Sequence, residues 1–151
     1  MLQGLHGTSN LHNILTEAHR RPKPHLHQGR ILSLLGIKSA IDISDGLVAD
    51  LSKMCKASQV SARIIVDQIP IHPALRLALP EEHKNLALNG GEDYALMFTA
   101  DKETMRGALV QLPSSSKIIG EITEGVPGNI SVIDAHGNKV NPSINGWDHY
   151  R

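Results

Sequence analysis

Ala40-Ile41-Asp42-Ile43-Ser44-Asp45-Gly46-Leu47 decides how this 151-residue chain reads. An apolar, β-branched start predicts a short buried strand over 40–44. Asp45-Gly46 forms the turn out of it, and a helix follows over 47–58. On that helix Leu47, Leu51, Met54, Cys55 and Ser58 share one face at helical spacing. Side chains alternate along a strand, so Asp42 and Ser44 share a face while Ile43 points to the core. A strand that feeds a helix through an acidic turn belongs to a layered α/β architecture.

The flanking sequence extends this pattern. Residues 1–10 are polar and look like a lead-in. A short helix is expected over 11–20, ended by the prolines Pro22 and Pro24. A second is expected over 25–35, with Gly36 as its stop. After the central unit come a β-branched strand over 60–66, short helices over 74–79 and 81–88, and a loop at Asn89-Gly90-Gly91. A strand over 94–99 and a helix over 101–112 follow, with Asp101 as N-cap. A strand over 117–122 leads to 130–133 and 139–140, which flank the turn at 134–138. The fold class is α/β (α+β), a mixed β-sheet with helices packed on it.

Composition excludes several functions. Fifteen basic and fifteen acidic residues cancel, which argues against a nucleic-acid footprint. No apolar run is long enough to span a bilayer, and the N-terminus lacks a signal-peptide core. A single cysteine, Cys55, rules out an internal disulfide and suits a reducing, cytoplasmic setting. Cys55 lies on the apolar helix face, so it reads as packing and not as a nucleophile. Nine histidines form no tight ligand pattern with acids or cysteine and read as surface groups.

Three clusters could carry chemistry. In the first, Asp42, Ser44 and Asp45 offer oxygen ligands suited to Mg²⁺, and the following helix start offers N–H groups suited to phosphate. The plainer reading is that Ser44 or Asp45 caps the helix. Asp42 is harder to explain in that way, because an isolated buried carboxylate is costly. In the second, Gly90-Gly91-Glu92-Asp93-Tyr94 allows close backbone approach by a ligand, or is simply a solvated acidic loop. In the third, Trp147 in Gly146-Trp147-Asp148-His149-Tyr150 could stack on a ligand ring, or dock a terminal segment. No Walker A loop and no hydrolase elbow occurs.

Taken together, these three strings and Phe98-Thr99 resemble the C-terminal domain of the thiamine-monophosphate kinase family, from about residue 21 to residue 150. That family sits within the aminoimidazole-ribonucleotide-synthetase superfamily. The resemblance implies transfer of the γ-phosphoryl of ATP to thiamine monophosphate, with Mg²⁺ screening the phosphates. It makes Asp42 and Asp45 metal ligands, Ser44 a contact to the nucleotide phosphates, and Glu92 and Trp147 contacts to the substrate. Asp93 and Tyr94 rank as supporting residues. Members of the family carry a preceding domain that supplies most metal-binding acids and forms a homodimer. Here Glu17 is the sole acid before Asp42, so residues 1–20 are expected to be the tail of such a domain and 21–151 the kinase-like domain. The chain alone is then expected to fold without turning over. Two alternatives stay open: another enzyme of the superfamily acting on a different acceptor, and a standalone binding or assembly module.

Overall fold

A computed structural model describes residues 9–141. Helices α1 (Ser9–Arg20) and α2 (Leu26–Leu34) lead into strand β1 (Ser39–Asp42) and helix α3 (Leu47–Ala57). Strand β2 (Ser61–Ile65), a 3-10 turn (Val66–Gln68) and helices α4 (Pro73–Ala78) and α5 (His83–Asn89) follow. Strand β3 (Leu96–Thr99), helix α6 (Lys102–Gln111) and strands β4 (Gly120–Thr123) and β5 (Ile130–Ile133) complete the order. The expected elements are present with ends moved by a few residues, except that 139–140 forms only an isolated antiparallel bridge from Lys139 to Ile133. Among the described residues no helix is long and apolar enough to cross a membrane.

The strands form two small sheets instead of one. β1 pairs antiparallel with β3, Asp42 opposite Leu96 and Ile41 opposite Met97. In the other sheet β2 lies in the middle, antiparallel to β4 and parallel to β5. The separation has a packing cause. Alternation along β3 sends Met97 into one core and Leu96 and Phe98 into another, so β3 packs on both faces while Ala40 and Asp42 of β1 stay exposed. The main core gathers Leu47, Leu51 and Cys55 from α3 with Ala62, Ile64, Leu88, Met97 and Val132. Ile41 and Ile43 pack against it from β1 and the residues after it. The second core joins Leu32 of α2 to Ala108 and Leu112.

The apolar face of α3 is as expected for Leu47, Leu51 and Cys55, but Ser58 is exposed, one residue beyond the last helical turn. Asp101 caps α6, its carboxylate accepting from the N–H groups of Glu103 and Thr104. The turn at 134–138 closes as a hairpin, with Asp134 Oδ1 accepting from the N–H groups of His136 and Asn138.

Candidate functional site

The site lies where α3 begins, because two loops are zipped together there. Ile43 N donates to Ala95 O, Tyr94 N to Ile43 O, and Glu92 N to Ser44 O, each at 2.8 Å. These bonds carry the β1–β3 pairing past Asp42 into both motifs. Glycine makes the approach feasible. A Cβ on Gly91 would stand 2.6 Å from Ser44 O, and one on Gly46 would stand 3.0 Å from Asn89 O. Gly46 also has φ 124°, a conformation side chains rarely adopt. On the other loop Glu92 and Tyr94 themselves take positive φ, 68° and 50°, which is uncommon outside glycine. Such backbone persists only where its surroundings over-determine it; here the zipper does so.

Each expected residue can now be placed. Asp42 ends β1 and is exposed, on the outward side of the alternation that sends Ile41 and Ile43 inward. The buried carboxylate anticipated at this position is therefore not present, and no burial penalty applies. Ser44 is half-buried, and its carbonyl holds the second loop. Neither Ser44 nor Asp45 caps α3: Gly46 is the N-cap, with no side-chain cap bond. Glu92 is exposed, and its Oε2 accepts from Tyr94 Oη at 2.9 Å. That hydrogen bond, then the charge of Glu92, and least of all the charge of Asp42, raise the pKa of the Tyr94 hydroxyl. Asp42, Glu92 and Tyr94 thus share one electrostatic neighbourhood. Asp93 is open to water, yet enough protein surrounds it to push its carboxyl up, against the pull of His19. Trp147 lies outside the described residues.

Two residues that the sequence reading passed over organise the first motif. Asp50, only 1% exposed, sits one turn into α3. Its Oδ2 accepts from both Ser44 N and Asp45 N at 2.9 Å. Its Oδ1 accepts from Lys53 Nζ at 2.8 Å, and Lys53 Nζ also pairs with Asp45. Burial alone would raise the Asp50 carboxyl. The Lys53 hydrogen bond, the two backbone N–H groups and the Lys53 charge more than offset this and lower it. These N–H groups are therefore committed to a carboxylate inside the chain. The signal available in the sequence was position: Asp50 stands on the Leu47–Leu51 face, where an apolar residue belongs.

Residues 3–133 match the family model described as AIR synthase related protein, C-terminal domain. The chain belongs to this family. Among relatives of this AIR synthase related domain, the thiamine-monophosphate kinase of Escherichia coli (strain K12) is 40% identical over 141 residues, covering 90% of this chain and 42% of that protein. A thiamine-monophosphate kinase structure from Stenotrophomonas maltophilia K279a matches with TM-score 0.74 and 33% identity, over 89% of this chain and 42% of that one. A structure described as AaThiL complexed with AMPPCP and TMP matches with TM-score 0.74 and 28% identity, over 99% of this chain and 45% of that one. The domain thus spans about two fifths of the length of the relatives it matches.

The donor set suits Mg²⁺ in part. Asp42, Asp45 and Ser44 are oxygen donors, and Mg²⁺ commonly takes one or two carboxylates plus phosphate and water. Among the described residues no group of three or more His, Cys, Asp or Glu side chains converges as a full ligand cage would.

Proposed function

We propose that this chain is the C-terminal domain of a thiamine-monophosphate kinase, acting in ATP-dependent phosphorylation of thiamine monophosphate to thiamine diphosphate. The observation that carries the reading is the zipper between the two loops, which bonds Glu92 N to Ser44 O next to the end of β1, where Asp42 stands. The likeness to the Escherichia coli kinase and to the complex with AMPPCP and TMP supports the substrates.

In this reading Asp42 and Asp45 hold Mg²⁺, and the Ser44 hydroxyl donates to a nucleotide phosphate oxygen. Bound Mg²⁺ would neutralise charge as donor and acceptor phosphates converge. Glu92 accepts hydrogen bonds from the thiamine portion of the acceptor, its carboxylate oriented by Tyr94, and Trp147 packs against the same ring system. Phosphoryl transfer of this kind relies on positioning and electrostatic stabilisation. The bond from the γ-phosphorus to the ADP oxygen breaks as an acceptor phosphate oxygen bonds to that phosphorus. The relatives are more than twice as long, and the further metal ligands are assigned to that additional length. Residues 21–151 are the kinase-like domain, and residues 1–20 are assigned as its lead-in from the adjoining length, although the family-model match itself starts at residue 3. A homodimer formed through the adjoining domain and a cytoplasmic location belong to the same proposal.

The test measures thiamine diphosphate formed from ATP and thiamine monophosphate, by the chain alone and by the chain fused behind the amino-terminal domain of the Escherichia coli relative. The fusion is expected to turn over and the chain alone is not. Turnover by the chain alone at the level of a full-length kinase would overturn the division of labour. Use of a different acceptor by the fusion would overturn the substrate.

A further inference from the structure

Lys53 does not figure in the site as the motifs define it, yet its ammonium lies between two carboxylates of unequal standing. Asp50 is buried and accepts hydrogen bonds from Ser44 N, Asp45 N and Lys53 Nζ. Asp45 is 48% exposed, and its side-chain contact is to Lys53. Removing the cation from a buried carboxylate is costly, whereas a half-exposed carboxylate can turn to water or another cation at little cost. An ammonium has three donors and can keep one partner while releasing another. The pair that exchanges is therefore Lys53–Asp45, and the pair that stays is Lys53–Asp50.

We propose that Lys53 is a tethered counter-ion. It holds the Asp45 carboxylate while no metal is bound, and it yields that carboxylate to the divalent cation while remaining anchored on Asp50. This rests on the assignment of Asp42 and Asp45 as Mg²⁺ ligands. Lys53 then acts as a positioning residue that sets metal affinity: it keeps Asp45 partly neutralised, and it competes with the incoming cation both by occupying Asp45 and by like-charge repulsion.

The experiment uses the 151-residue chain with Mn²⁺ as probe, read by paramagnetic broadening of backbone amide signals near Asp42 and Asp45. Lys53→Gln keeps a donor for Asp50 and removes the charge, and Lys53→Met is the second variant. Both are expected to lower the Mn²⁺ concentration for half-maximal broadening by about twofold to fivefold. Adding Asp45→Asn to Lys53→Gln should cancel the gain. Structural damage alone would weaken binding, so tightening separates the two roles. If Lys53→Gln and Lys53→Met bind Mn²⁺ no more tightly than the parent, while Asp42→Asn and Asp45→Asn weaken binding, the counter-ion role is wrong and the metal site stands. If broadening at these amides does not depend on Asp42 or Asp45, the metal assignment fails and takes this proposal with it.

Discussion

Replacing Asp50 by alanine should destabilise the chain by about 3 kcal/mol. Ser44 N and Asp45 N both lose an acceptor at part-buried positions, at about 1 kcal/mol each, the low end for unsatisfied groups because water can reach the loop edge. Loss of the Lys53 partner adds about 1 kcal/mol, discounted because Lys53 is more than half exposed. For a domain of this size that is about 6–12 °C in Tm. Urea unfolding followed by far-ultraviolet circular dichroism gives the difference directly. pH supplies a second signature. Folded Asp50 ionises below the ordinary aspartate value of 3.8, so its stabilisation is complete above that value and is lost as pH falls through the lower folded one. The gap between parent and variant should stay constant from pH 7 to about pH 5 and close in stronger acid. A difference under about 0.5 kcal/mol at pH 7 would refute the view that Asp50 holds the motif together.

Other perturbations probe the remaining parts. Gly91→Ala should cost about 2 kcal/mol or more in the same unfolding assay, because its Cβ would enter the space of Ser44 O; a neutral variant would mean the loops do not touch there. Asp101→Ala should cost about 1 kcal/mol as a lost N-cap. Cys55 is 1% exposed, and burial raises its thiol, so labelling by a thiol reagent should occur only on unfolding; rapid labelling of the native chain would contradict that placement. In the active fusion, Tyr94→Phe should raise KM for thiamine monophosphate several-fold with little change in kcat, since it frees the Glu92 carboxylate from its hydrogen bond.

The elements were legible because their signals are local. The helical face of Leu47, Leu51 and Cys55, the β-branched run of β2 and the cap at Asp101 each depend on neighbours in sequence. Division into two sheets was not legible, because it depends on β3 feeding two cores from opposite faces, a fact about tertiary packing. The motif residues were visible as strings, and the glycines hinted at a close approach. The zipper itself, with Glu92 N on Ser44 O, joins residues 48 positions apart and leaves no mark in either string. Asp50 was hidden for a different reason. Its place on the apolar face marked it as unusual, but its partners are the backbone N–H groups of the two residues that lead into its own helix, which side-chain spacing does not show. The helix-cap reading of Ser44 and Asp45 failed because these residues supply backbone donors to Asp50 while Gly46 occupies the cap position.

The most direct test of the central claim is the rate of thiamine diphosphate formation by the fused protein carrying Asp42→Asn or Glu92→Ala. Asp42→Asn should lower kcat by about a hundredfold or more, and Glu92→Ala should raise KM for thiamine monophosphate while leaving KM for ATP unchanged. Parent-like kinetics in both variants would contradict that claim, because the edge built by the two zipped loops would then take no part in the reaction.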